Sequence, residues 1–483
     1  MSLISRICAL LLLLTLLSRP VSAQTAAADS VEVFSPGDLL FYLGQYHPVA
    51  RQAGLLREQA RANLRMARGA FDPKLYGEVN QKVFKGSNYY FYQDGGLKGY
   101  LWPGVELKAG YEQANGVYID PEATTPEAGL LYAGVAVPLG QGLLIDSRRA
   151  AVKQAQIFRD AAEAERIVLL NDLYFEAIQA YWNWAEAWSR SQVQGEAVAV
   201  AQVRLDAVRA LWQFGDRPGI DTLEALIVYQ SRQMDFQTAQ LEYQKASLSL
   251  SNFLWAEDGS PLFITPRLRP SDVQQVSAPA PLASDSVQRI VFSLPETHPS
   301  LQRIRYDLAS LEVERRLKAD KLKPKIYVNY NVLNEATVNA NNGEGFFYPG
   351  VFSNNYKWGL SVGFPLFLRE ERGNLELTRI KLQQTRYKQE LKQLELGNKV
   401  QSYQAEVQNV AGQISLFSNA LRNYQALLQA EEIKFQAGES SLFLINARES
   451  KVIEAQVKLL ELRAKYLRAL AGIDWAAGRL YAE

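Results

Sequence analysis

Cysteine is nearly missing from this chain of 483 residues: the one present, Cys8, lies within the first 23. A chain trimmed of that segment has no disulfide, no thiolate metal ligand and no thioester chemistry. Histidine is as scarce. His47 and His298 are the only two, and neither has a second candidate ligand at metal spacing, so no metal site is predicted. Also missing are a glycine-rich phosphate loop, an HExxH motif and a nucleophile-elbow serine. The many carboxylates sit on helix faces at solvating spacing, which reads as charged coiled-coil surface. No catalytic residue and no cofactor are expected, and the chain is not expected to be an enzyme.

Neither sign of charge dominates. Trimming residues 1–23 removes Arg6 and Arg19 and no acid, leaving 50 basic against 51 acidic residues. That balance argues against nucleic acid as a partner. No later stretch holds 18 consecutive apolar residues, so no transmembrane helix is predicted. Barrel strands need only about 9 to 11 alternating residues and stay compatible with the sequence.

The N-terminal segment carries an export signal. Arg6 supplies its positive end, residues 7–17 its apolar stretch, and Val21-Ser22-Ala23 a small-residue cleavage site.

Two junctions organise the remainder. Gly134-Val-Ala-Val-Pro-Leu-Gly140 and Leu360-Ser-Val-Gly-Phe-Pro-Leu366 each read as a strand stopped by a proline, Pro138 or Pro365, and followed at once by a very long helix. Aligning them exposes an internal repeat. His47-Pro48 recurs as His298-Pro299, and Asp72-Pro73-Lys74-Leu75-Tyr76 as Lys323-Pro324-Lys325-Ile326-Tyr327. Trp212-Gln-Phe-Gly215-Asp216 recurs as Phe435-Gln-Ala-Gly438-Glu439. The organisation is a signal peptide (1–23), a first repeat (24–256), an irregular connector (257–286) and a second repeat (287–483). His-Pro reads as a helix start with a polar cap before proline.

Long helices are predicted at 142–214 and 371–437. The helices at 38–70 and 221–256 together nearly equal the first in length, and those at 288–322 and 444–471 nearly equal the second. The economical arrangement stacks two short helices end to end beside each long one. Val400, Tyr403, Val407, Val410, Ile414, Phe417, Leu421, Tyr424 and Leu428 step by three and four, which implies left-handed coiled-coil packing. The first long helix carries two stripes: Ala197, Val200, Ala207, Leu211 and Phe214, then Val198, Ala201, Leu205, Val208 and Trp212. Two stripes suggest neighbours on both sides, as in a closed ring of helices.

Four strands per chain are predicted, at 74–84, 130–137, 325–333 and 356–364, with 103–111 as a candidate further segment. Tyr89-Tyr-Phe-Tyr92, Tyr100-Leu-Trp102 and Gly345-Phe-Phe-Tyr348 fit interfacial aromatic girdles. Four strands cannot close a barrel, and lipid does not tolerate open edges. Three chains would supply a ring of twelve strands continued by twelve helical positions, a tube.

This doubled plan resembles the TolC family of outer membrane efflux channels over essentially the whole mature chain. The residues that carry the resemblance are the His-Pro helix starts, the strand pairs, Val137-Pro138-Leu139, Phe364-Pro365-Leu366 and Phe435-Gln-Ala-Gly438-Glu439-Ser440-Ser441. The fold it implies is a mixed α and β membrane protein. A trimeric 12-stranded barrel, four strands per chain, would be continued by an α-helical coiled-coil tunnel across the periplasm of a Gram-negative bacterium. It implies a homotrimer in outer membrane lipid, working as a passive duct with a periplasmic adaptor protein and an inner-membrane pump. The aperture and adaptor-contact turns would then hold Trp212, Gly215, Asp216, Arg217 and Asp221 in the first repeat. In the second they would hold Phe435, Gly438, Glu439, Ser440, Asn446 and Arg448. One departure stands out: Leu442-Phe-Leu-Ile-Asn-Ala-Arg448 has no aspartate where the best-known members carry tunnel-lining aspartates.

The alternative is a periplasmic adaptor or coiled-coil scaffold without its own pore. An adaptor would show one hairpin and a lipoyl-like β-domain. Two hairpins with strand pairs at one end of both favour the duct.

Overall fold

The computed structural model describes residues 32–273, 281–336 and 351–481. The predicted signal segment, residues 274–280 of the connector and the aromatic stretch at 345–348 lie outside the described residues. A short strand β1 (Glu32–Phe34) leads into helices α1 (Pro36–Tyr46) and α2 (Pro48–Arg68). Strands β2 (Lys74–Phe84), β3 (Ser87–Tyr100), β4 (Glu106–Asn115) and β5 (Leu130–Pro138) follow, then the long helix α3 (Ser147–Gln213) and the return helix α4 (Gly219–Ser251). After strand β6 (Leu268–Pro270) the second repeat supplies α5 (Ser284–Thr297), α6 (Pro299–Asp320), β7 (Lys325–Glu335) and β8 (Tyr356–Gly363). It ends with α7 (Arg369–Gln436) and α8 (Leu442–Ala476).

The long helices have 67 and 68 residues, about 100 Å each at 1.5 Å per residue. Along α3, α2 packs near the start and α4 farther on, as the Arg57–Glu163 and Arg190–Glu242 ion pairs mark. In the same way α6 and α8 follow one another between α3 and α7, marked by Arg303–Glu165 and then Arg204–Glu449. The end-to-end stacking expected from helix lengths is thus present. In α7, Val400, Val407 and Val410 are fully buried; Val407 and Val410 meet Leu462, Tyr466, Ala469 and Ile473 of α8, and Val400 packs with Leu294, Leu301 and Ala476.

The helices expected at 38–70 and 288–322 are each broken in two, at His47 and His298. A residue before proline is pushed out of the α region, and both histidines are extended, with ψ of 133° and 123°. Each then caps the next helix. His47 Nδ1 accepts the Val49 N–H at 3.2 Å, and His298 Nδ1 accepts the Ser300 N–H at 3.1 Å. The cap needs a neutral ring. Burial pushes the His298 imidazole down to about 4, and the Lys392 and Lys399 ammonium groups add to the shift. Unfolding restores an ordinary value near 6.5, so between these values the unfolded chain binds the extra proton. Stability from this site is full above about pH 6.5 and is lost as pH falls toward 4, on the order of 3 kcal/mol in all. Thermal melts at pH 7.5 and 4.5 should show a clear drop for the wild type. His298→Asn, a cap that does not titrate, should show a smaller one. Equal drops would remove His298 as the cause.

The start of α3 also differs from expectation. Gly142 has φ of +90°, outside the helical region, and the helix begins only at Ser147. Asp146 is its N-cap, accepting the Arg149 N–H at 2.8 Å. Pro138 does end β5, but the chain runs on along β7 first, with the Leu139 N–H on the Ile326 carbonyl at 2.8 Å.

Midway along the helices lies the largest core. Phe34, Leu39, Leu43, Tyr181, Trp182, Trp184, Leu250, Val273 and Ala464 join the N-terminal segment, the connector and both repeats. Within the connector, β6 pairs in parallel with β1. The Tyr181 hydroxyl donates to the Phe34 carbonyl at 2.7 Å and accepts the Ser271 N–H at 3.0 Å. It fastens that small ladder to α3.

The sheet holds six antiparallel strands in the order β2-β3-β4-β5-β7-β8. All four expected strands are there; the expected number per chain is corrected from four to six. β3 and β4 form a hairpin from the insert at 85–129 and lie between β2 and β5, paired to both. The candidate segment at 103–111 overlaps β4, whereas the sequence hid β3, whose alternation Gly95-Gly96 interrupt. Gly110 of β4 is covered by Tyr132 of β5.

Candidate functional site

At the end of the helices farthest from the sheet, each long helix stops in the same motif. Gly215 (φ +81°) and Gly438 (φ +76°) adopt the left-handed conformation that glycine tolerates. The Gly215 N–H bonds the Trp212 carbonyl at 3.0 Å and the Asp216 N–H the Leu211 carbonyl at 2.9 Å. Gly438 and Glu439 repeat this on Phe435 and Lys434 at 3.1 and 2.9 Å. The carbonyls left over at the helix end are thereby satisfied.

The fold brings the two turns together. The Arg217 guanidinium lies 4.6 Å from the Phe435 ring centre and 3.9 Å from the Asp221 carboxylate. Leu205, Val208 and Ala225 of the first repeat bury against Leu442 of the second, with Phe435 alongside. Ser440 donates to Glu431 at 2.5 Å, and the Arg448 guanidinium approaches the same carboxylate at 3.7 Å. Trp212 packs beside Gly219 and stays half exposed, whereas Asp216 and Glu439 are exposed.

Of the expected residues, Asn446 is held most tightly. Its Oδ1 accepts from Arg204 at 2.9 Å and its Nδ2 donates to Glu224 at 3.2 Å. Arg204 also forks onto Glu449 at 2.6 and 3.1 Å. Both charges are nearly buried, so one network ties α3 to the start of α4 and of α8. Arg232 of α4 adds a 2.5 Å bond to the Ser450 hydroxyl. Sequence reading missed Arg204 and Glu449 because each sits among many charges on a long helix, and nothing local marks these two as facing inward.

At the opposite end, the sheet divides cleanly by face. Leu75, Val79, Leu97, Leu107, Val362 and Leu360 are exposed on one side. Lys74, Glu78, Asp94, Lys108, Glu112 and Lys357 belong to the other side by strand register. This is the apolar-out, polar-in alternation of a lipid-facing barrel wall. Below it, around Pro138 and Pro365, exposed Leu139, Leu144, Leu366 and Phe367 continue the apolar band at the strand-to-helix level. Among the described residues no helix is long and apolar enough to cross a membrane, and no group of metal-binding side chains occurs.

Residues 293–479, most of the second repeat, match the outer membrane efflux protein family. The match spans well under half of the chain. No curated protein matches the sequence. Solved structures similar to this chain are outer membrane channels. CmeC of Campylobacter jejuni has a TM-score of 0.64 at 11% identity, covering 92% of this chain and 86% of its own. MtrE of Neisseria gonorrhoeae, in its open state, has 0.64 at 15%, covering 92% and 89%. VceC of Vibrio cholerae has 0.61 at 14%, covering 92% and 96%. At these identities the likeness shows the fold. The fold expected from the resemblance to TolC-type channels is therefore the one found. The reading as an adaptor or scaffold without a pore is set aside.

Proposed function

We propose that three copies of this chain close into one tube and act as a passive export duct, with the paired turns forming its periplasmic mouth and the docking point for an adaptor. One observation carries the assembly. The sheet ends in two open edges, β2 and β8, while its apolar face is exposed on β2, β3, β4 and β8, at Leu75, Leu97, Leu107 and Leu360. Unpaired strand edges are not stable in lipid, so each must find the edge of another copy. The helices agree: on α3, Ala197, Ala201, Leu205 and Val208 are buried within the chain, while Val200, Leu211 and Phe214 stay exposed and free for a neighbour. Mass measurement of the detergent-solubilised protein should give a trimer; a monomer or dimer as the sole species would sink the reading.

The turns should meet the adaptor because they are the extremity farthest from the membrane. Photocrosslinkers at Asp216 and Ser440 are expected to capture a periplasmic protein. Capture only from positions on the sheet would place docking elsewhere.

A further inference from the structure

We propose that the β3–β4 hairpin is part of the barrel wall, so that three chains enclose eighteen strands and the duct passes broader cargo than a twelve-stranded wall would. This rests on the trimeric reading above.

The hairpin keeps the polarity of the wall. On β3 and β4, Leu97, Leu107 and Ala109 share the face of Leu75 and Val135, while Lys98, Lys108 and Glu112 share the face of Lys74 and Glu78. A hairpin folded over the mouth or into water would have no reason to hold this division in register with both neighbours.

It is also locked in place from both sides. Tyr76, Gly96, Gly110 and Tyr132 form one row across β2, β3, β4 and β5. Tyr132 lies over Gly110, where a Cβ would sit 2.7 Å from its hydroxyl oxygen. From there the hydroxyl donates to Asp94 of β3 at 2.8 Å and meets the Tyr76 hydroxyl of β2. The two strands that flank the hairpin thus reach each other only across its glycines. At the periplasmic end, the turn between β3 and β4 rests on the helices. Trp102 stacks on Phe71 with ring centres 5.5 Å apart, and the Arg148 guanidinium lies 3.3 Å from the Tyr100 ring centre.

The count of six suits closure. With an even number of antiparallel strands, β8 of one copy runs opposite to β2 of the next, as an up-and-down barrel requires. The widths agree as well. Twelve helical positions spaced about 9 to 10 Å apart make a ring roughly 115 Å around. Eighteen strands about 4.8 Å apart, tilted about 40°, make a ring of roughly 113 Å, some 36 Å across the backbone. Twelve strands would make only about 75 Å, some 24 Å across, so the barrel would step inward from the helices. The extra hairpin removes that step.

The hairpin is separable. Deleting residues 86–128 leaves Lys85-Gly129 joining the ends of β2 and β5, which already run antiparallel to each other. Electron cryomicroscopy of the wild-type trimer in lipid nanodiscs should resolve eighteen strands in the wall. Twelve strands, with the hairpin outside the wall, would overturn the proposal and leave the channel reading intact. Failure to find any trimer would overturn both. In planar bilayers, polyethylene glycols added to the outer side should enter the wild-type mouth at up to about 1.5 times the radius admitted by the deletion variant, following the linear growth of diameter with strand number. Equal cut-offs for two trimeric proteins would overturn the proposal. A deletion variant that does not assemble leaves the wild-type strand count to decide it.

Discussion

Arg204→Ala is expected to open the resting mouth. Arg204 is the single cation joining α3 to Asn446 and Glu449 at the start of α8, and Asn446 reaches on to Glu224 of α4. Near the turns, this one side chain links the long helix to both return helices. Removing it leaves the Glu449 carboxylate, 12% exposed, without its partner. Breaking a buried ion pair on one side costs about 3 to 5 kcal/mol, because the remaining charge stays desolvated. The chain can relieve that cost by letting the start of α8 move into water, which widens the mouth. Single-channel conductance in planar bilayers should rise in Arg204→Ala. Unchanged conductance with the trimer intact would place the gate elsewhere. Of the other residues expected at the aperture, Asp221 and Arg448 are weaker candidates. Their pairs span 3.9 and 3.7 Å and are partly exposed, so each contributes only about 0.2 to 1 kcal/mol. Their double alanine variant should change conductance less than Arg204→Ala alone.

Trp184→Ala is expected to be the most destabilising single change in the helical body. Trp184 is fully buried where β1, β6, α3 and the connector meet, in contact with Phe34 and Tyr181. Truncating a buried tryptophan removes its transfer free energy and leaves a cavity, together about 3 to 5 kcal/mol. Tyr181→Phe should cost less, about 1 to 3 kcal/mol, since it leaves the Phe34 carbonyl and the Ser271 N–H without their shared partner. Thermal melts followed by helical circular dichroism should rank the variants in that order. A Trp184→Ala protein that melts with the wild type would show that this girdle does not limit stability.

The family, the doubled plan and the outer ends of the long helices were legible in the residues themselves. Heptad spacing in 400–428, Gly215 and Gly438 past the helix ends, and the two prolines at the strand ends are local signals, and local backbone chemistry obeys them. Fine boundaries were less legible. His47-Pro48 was readable as a helix start, yet the helix before it was taken as continuous. The same pre-proline restriction that caps α2 also ends α1. Gly142 was placed inside α3, although its positive φ keeps it out.

What the sequence determined by itself is whatever rests on neighbours within a turn or two: the stops, the caps and the coiled-coil stripe. Tertiary structure alone decided the rest. β3 and β4 are held in the sheet with help from Tyr132, twenty-two residues beyond Gly110, which lies over that glycine and donates to Asp94 of β3. The start of α8 is tied to α3 by Arg204 because α8 returns beside α3 and buries one arginine among many against Asn446 and Glu449, two hundred and more residues away. In both cases the deciding contact joins residues far apart in the chain, where periodicity carries no information.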